Sequence, residues 1–215
     1  MSVSRYGFLG IVAFMVALMY VSAQIRFHVG PVPYTLQNMA VVLSGLLLPP
    51  KYALASQLLY LLLIALGLPV AAGFRGGLGV LLGYTAGYLW AFPVASLLMS
   101  LLSRVYLRAR GRRLSCVSRI DVFFLWLLSF IAVLPVYVLG YMVFLYYAVP
   151  SSRLYVWAES IVDGIGLAPG DPLTVLFIAS VLVFIPQDML MDHFVAVVSA
   201  RSIAGLLESR GLRLD

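Results

Sequence analysis

The sequence predicts an all-α integral membrane protein of six transmembrane helices, and three observations predict it. Charged residues make up 10% of the 215, against roughly 25% in an ordinary soluble domain. Hydrophobic residues make up 63%, more than a core of this size can hide behind a polar skin; a bilayer removes the need for that skin. Uncharged runs approaching the ~20 residues needed to cross the hydrocarbon recur along the whole chain. One membrane domain over residues 1–215 is therefore expected, with no separate soluble unit.

The spans follow in order. Residues 6–24 form the first; residues 6–23 carry no charge, longer than the roughly 7–15 residues of a signal-peptide core, so the segment is kept as a helix. Gly30-Pro31-Val32-Pro33 interrupts the pattern, and 34–48 is a short second span. Pro49-Pro50-Lys51 reads as a tight turn before the third span, 52–68, which Gly67 and Pro69 stop. A glycine-rich loop holding Phe74 and Arg75 leads into the fourth span, 78–102. Residues 103–120 form an Arg-rich loop in which Arg104, Arg108, Arg110, Arg112, Arg113 and Arg119 fall within sixteen residues. The fifth span, 122–149, is long enough to tilt. Residues 150–172 read as a polar external loop. Residues 173–183 read as a short membrane-dipping segment, and 186–207 as the sixth span, with Pro186 in its first turn.

Charge sets the orientation. Placing the Arg-rich loop inside, with six spans, puts eleven of the fourteen basic residues on the cytoplasmic side and leaves Arg26, Arg75 and Arg153 outside. Both termini are then cytoplasmic. The net charge of +6 needs no nucleic-acid partner, because basic residues collect in cytoplasmic loops. A single cysteine, Cys116, and two histidines, His28 and His193, exclude an internal disulfide and leave no metal cluster.

Catalytic motifs are absent from the sequence. It has no Gly-rich phosphate loop, no G-x-S-x-G elbow and no H-E-x-x-H helix, so a binding or transport role is expected rather than an enzyme. Candidate functional residues are the polar groups at membrane depth. Asp188 and Asp192 lie four apart on one helical face, and a carboxylate near the bilayer centre costs ~2.5–3.5 kcal/mol. Asp188 suits ligand contact; Asp192 suits pairing with His193 or with a neighbouring helix. Arg75, flanked by Gly73, Gly76 and Gly77, suits anion binding. Gly79, Gly83 and Gly87 form a small-residue stripe for helix packing. Tyr84 and Tyr88, like Tyr137 and Tyr141, divide between pocket and packing. Tyr146, Tyr147, Tyr155 and Trp157 suit an interfacial belt. Thr35, Gln37 and Asn38 suit either ligand contact or helix–helix hydrogen bonds. Ala13 and Ala17 form a flat patch, for a partner or for the chain's own packing. An ion-coupled secondary carrier for a small organic solute, with Asp188 and Asp192 titrating, is the competing reading.

Several segments resemble BioY proteins, the biotin-binding S components of energy-coupling-factor (ECF) transporters. They are Gly30-Pro31-Val32-Pro33-Tyr34-Thr35-Leu36-Gln37, Leu43–Leu48, Tyr60 through Gly67-Leu68-Pro69-Val70-Ala71-Ala72-Gly73, Gly76–Leu89, and Phe184-Ile185-Pro186-Gln187-Asp188. The resemblance implies a six-helix S-component bundle in the cell membrane, biotin bound on its external face, and no cofactor. It also implies a transmembrane coupling subunit and two ATPase subunits as partners, with Ala13 and Ala17 meeting the coupling subunit. Phe74, Tyr84 and Tyr88 would then wall the ligand, with Thr35, Gln37, Gly76 and Thr85 in contact. Asp188 would accept from ureido N–H groups and Arg75 would hold the carboxylate. The chain departs from the family pattern at three places. Tyr84-Thr85-Ala86-Gly87-Tyr88 stands where proline-threonine-glycine-glycine-tyrosine is usual. Gln187 replaces a glycine, and Met191 replaces a lysine.

Overall fold

A computed structural model describes residues 4–28, 32–150, 152–168 and 170–212; Gly30 and Pro31 of the proline-rich motif and Arg213 lie outside them. Helix α1 (Arg5–Gln24) starts where Ser4 Oγ accepts the Gly7 N–H at 3.1 Å, and buries Phe8, Val12, Met15, Val16 and Met19. Ala13 and Ala17 fall on its opposite, exposed face. A small antiparallel ribbon follows, β1 (Arg26–His28) with β2 (Pro33–Thr35), pairing Arg26 with Thr35 and Phe27 with Tyr34. It is the one departure from all-helical structure among the named elements.

Helix α2 (Gln37–Leu47) is only 11 residues long, about 17 Å at 1.5 Å per residue, and it is buried on nearly every side. It can afford that enclosure because Gly45 has no side chain where Met99 and the Ser96 carbonyl press against it. Helix α3 (Pro50–Ala65) opens with proline in its first turn, where the missing N–H costs nothing. Between them and the fifth helix runs a buried polar seam. Ser44 and Ser96 share a hydrogen bond of 2.8 Å, and Gln57 Nε2 donates to Ser44 Oγ at 2.9 Å.

The expected fourth span is not one helix. A single turn, α4 (Leu78–Leu81), is separated from α5 (Ala86–Ala109) by Leu82–Thr85. Glycines at 77, 79 and 83 make this stretch a poor helix, and the break is received from outside, where Tyr147 Oη donates to the Leu82 carbonyl. Helix α5 runs on to Ala109, so the first part of the Arg-rich segment is helical. Of the glycine stripe, Gly79 has open space around it, whereas a side chain at Gly87 would strike the Leu139 carbonyl. The close crossing is therefore Gly87 against α6 (Arg119–Tyr147).

Ser118 and Asp121 form a reciprocal capping box at the start of α6, satisfying two of its orphan donors. Arg110 and Arg112 both reach the same Asp121 carboxylate, at 3.4 and 3.1 Å. The polar segment 150–172 is not simply a loop: it contains the amphipathic helix α7 (Arg153–Gly164), which buries Ala158 and Val162. These pack on Phe144, Val175 and Ala179 in a small second core.

The last helix, α8 (Pro172–Ser209), is a single helical run of 38 residues, joining the dipping segment to the sixth span. Asp171 caps it through the Leu173 and Thr174 N–H groups. Its middle contains two wide π turns, Ile178–Leu182 and Asp188–His193, and Pro186 lies between them. Wide turns and a proline leave carbonyls short of donors, and three side chains supply them. Tyr88 Oη donates to the Ser180 carbonyl at 2.6 Å, Tyr34 Oη to Phe184 at 3.2 Å, and Trp126 Nε1 to Met189 at 2.7 Å.

Among the described residues four helices, α1, α5, α6 and α8, are long and apolar enough to cross a membrane, with α2 and α3 as shorter apolar helices. Leu62, Phe123, Ile131, Val138 and Met142 are among many large apolar side chains left on the outside. A soluble protein would not expose such a coat; lipid tails solvate it.

Candidate functional site

Where the start of α2, the loop after α3, the start of α5, the middle of α6 and the first half of α8 meet, they enclose a cavity. It holds about 780 Å³ of empty space, part of it open to solvent. It lies at the end of the bundle away from the Arg-rich segment, since α5 lines it with its first turns and carries the arginines at its last. Thr35, Gln37, Arg75, Thr85, Tyr88 and Asp188, all singled out by the sequence, line it.

The polar groups are held in a connected set. Thr35 Oγ1 donates to Gln37 Oε1 at 3.0 Å, Gln37 Nε2 to Tyr60 Oη at 3.0 Å, and Tyr60 Oη to the Val70 carbonyl at 3.1 Å. Gln37 is thereby committed to protein partners on both amide atoms, fixing the loop after α3 to the start of α2. Asp188 is 5% exposed. Its Oδ2 accepts from Tyr137 Oη at 2.7 Å and Asn38 Nδ2 at 2.9 Å, which leaves Oδ1 for whatever fills the cavity. No salt bridge to Asp188 exists among the described residues, so Oδ1 can accept from a donor on a ligand.

Arg75 lies in the tight turn Ala71–Arg75, where the Ala71 N–H donates to the Arg75 carbonyl at 2.9 Å. Its Nε donates to the Ala72 carbonyl at 3.1 Å, which orients an exposed guanidinium on the cavity. Gln24 of α1 clamps this turn. It accepts the Phe74 N–H at 3.0 Å and donates to the Ala71 carbonyl at 3.0 Å. Gly73, at φ +75°, leaves the space in which the Arg26 guanidinium sits, bringing a second cation to the turn that the sequence did not connect with it.

Three expected contacts stand outside the cavity lining. Phe74 is held at φ +55° and turns outward, 63% exposed, with its ring edge-on to Tyr20. Gly76 packs against the Leu68 carbonyl, where any side chain would collide. Tyr84 faces the second core, edge-on to Phe144. Their place as walls is taken by Tyr34 stacked on Phe184 with ring centroids 5.0 Å apart, and by Phe92. Tyr137 and Asn38, undecided from sequence, belong to the site. Asp192 and His193 do not pair with each other. Asp192 Oδ2 accepts the Met39 N–H at 3.2 Å, and His193 Nδ1 shares a hydrogen bond of 2.8 Å with Ser129 Oγ. Met191, where the family pattern has a lysine, is 45% exposed on the outside of the bundle.

A helix bundle with an apolar outer surface and a cavity of mixed aromatic and polar lining is the architecture of a membrane protein that holds a small solute. The BioY family model matches residues 3–208, and the chain belongs to that family. It is 42% identical over 139 residues to the probable biotin transporter BioY of Pyrococcus horikoshii, covering 63% of this chain and 83% of that one. To the biotin transporter BioY of Thermotoga maritima it is 46% identical over 87 residues, 40% of this chain and about half, 52%, of the relative. Its structure superposes on the crystal structure of the S-component for biotin from an ECF-type ABC transporter with a TM-score of 0.69. The identity there is 26%, over 93% of this chain and 91% of the other.

Proposed function

We propose that the chain is the substrate-binding S component of an ECF-type vitamin transporter, which binds biotin and imports it across the cell membrane. The observation that carries this reading is the pairing, in one aromatic-walled cavity of a BioY-family chain, of an open Asp188 oxygen with the Arg75 guanidinium. Biotin has a ureido group that donates two N–H bonds and a carboxylate that accepts them. Asp188 takes a ureido N–H and Arg75 the carboxylate; Tyr34, Phe184, Tyr88 and Phe92 enclose the apolar rings. Thr85 and Thr35 contribute hydroxyls at the wall.

The chain has six spans, α2 and α3 included, with both termini and the Arg-rich segment cytoplasmic and the cavity external. Lacking a phosphate loop, it depends on a transmembrane coupling subunit and two ATPase subunits for energy. Ala13 and Ala17, exposed on α1, face the coupling subunit. The role is binding and translocation rather than catalysis. An ion-coupled carrier titrating Asp188 and Asp192 is not favoured, because Asp192 is committed to the backbone of α2 and does not line the cavity.

Equilibrium binding of labelled biotin to the detergent-purified chain, with thiamine and riboflavin as competitors, tests the reading. Saturable binding displaced by unlabelled biotin but not by the other vitamins is expected; displacement by either competitor at equal concentration overturns it.

A further inference from the structure

Helix α2 has no cap of its own. The residue before it, Leu36, offers no side-chain acceptor, although the first N–H groups of any helix need one. The acceptor arrives instead from α8: Asp192 Oδ2 takes the Met39 N–H at 3.2 Å, and Asp192 is fully buried. No salt bridge to it exists among the described residues. The partial positive charge of the α2 N-terminus is what the carboxylate has in exchange for water.

The neighbouring residue on α2 is Asn38, whose side chain reaches back to α8, donating to Asp188 at 2.9 Å. One turn of α2 is therefore clasped by two carboxylates four residues apart, one taking its backbone and the other its side chain. Asn38 and Tyr137 both donate to Asp188 Oδ2, and that shared oxygen decides which way Oδ1 points. If the first turn of α2 moved, Asn38 would leave and the carboxylate could swing on Tyr137 alone.

We infer that Asp192, which lies off the cavity, is a positioning residue of the binding site: by capping α2 it holds Asn38 on Asp188 and so aims the open Asp188 oxygen at the ligand. This rests on the biotin-binding reading above. Purified native chain, Asp192→Ala, Asn38→Ala and the double variant are titrated with biotin and with biotin methylated on both ureido nitrogens. Asp192→Ala together with Leu36→Asp, which gives α2 a cap of its own, is titrated alongside them.

Native protein should strongly prefer biotin. Asp192→Ala should lose about tenfold in biotin affinity, the scale of a lost cap, and most of its preference over the methylated ligand. The double variant should be no weaker than Asn38→Ala alone, and Leu36→Asp should restore much of the loss. A purely structural cap predicts otherwise: lower melting temperature with the preference between the two ligands unchanged, and that result overturns the inference. Fully additive losses in the double variant overturn it as well. Failure of the native chain to bind biotin shows in the first titration and removes the functional reading together with this inference.

Discussion

The ring of Tyr88 on α5 occupies the space where a side chain at Gly140 on α6 would stand. From there Tyr88 Oη reaches the Ser180 carbonyl in the first wide turn of α8. A missing side chain on one helix thus lets a second helix brace a third, and the braced ring is part of the cavity wall. Gly140→Val should displace Tyr88, costing ~1–3 kcal/mol as an overpacked core position. Thermal unfolding in detergent should register the loss. Tyr88→Phe keeps the ring and drops only the hydroxyl, so it should cost less than Gly140→Val; equal destabilisation would mean that the close approach is not what matters there.

The apolar helices are legible because charge is costly to hide in a bilayer. The uncharged runs at 6–24, 52–68 and 122–149 correspond closely to α1, α3 and α6. What the sequence did not show depends on partners distant in the chain. The break at Leu82–Thr85 is received by Tyr147, and the wide turns of α8 by Tyr88 and Trp126; no local pattern encodes either. Helix α7 looks like loop in the sequence because its polar residues outweigh the buried Ala158 and Val162. In the site, Asp188 stood out because a carboxylate there is costly, and Arg75 because glycines surround it. Tyr34, Phe92 and Phe184 did not. Lipid tails are as apolar as a protein core, so an aromatic facing inward looks, in sequence, like one facing lipid. Phe74 and Tyr84 stand outside the cavity lining.

Orientation can be read by chemical labelling. With Cys116 replaced by serine, a cysteine at Arg153, exposed on α7, should react with a membrane-impermeant maleimide on intact cells. One at Arg108, exposed near the end of α5, should react only after the cells are opened. The positive-inside distribution requires that result, and the reversed pattern would invert the topology.

Ala13 and Ala17 are exposed on α1 rather than packed within the chain, so enlarging them should leave the fold alone. Ala13→Leu with Ala17→Leu should abolish biotin uptake by cells expressing the whole transporter, while biotin binding to the purified chain stays within about twofold of native. Bulk on a small-residue face blocks the close approach of a second helix. Parallel loss of binding and uptake would return the patch to the chain's own packing.

The sharpest test concerns the two ends of the ligand. Asp188 offers one free carboxylate oxygen, and Arg75 a guanidinium with only its Nε engaged, to the Ala72 carbonyl, among the described residues. A charge-assisted hydrogen bond contributes ~1.5–3 kcal/mol, so losing one should weaken biotin binding by roughly ten- to over a hundredfold. Asp188→Asn keeps shape and hydrogen-bonding atoms near Tyr137 and Asn38 while removing the charge, so folding should survive and affinity should fall. Arg75→Gln should lower affinity by a comparable factor. Biotin amide separates the two roles. Lacking the anion, it should bind native protein more weakly than biotin does, yet bind Arg75→Gln almost as well as biotin binds that variant. The same amide should lose as much as biotin on Asp188→Asn, because its ureido group is intact. If native protein does not distinguish amide from acid, Arg75 does not hold the carboxylate, and Arg26, seated against Gly73 in the same turn, is the next cation to replace.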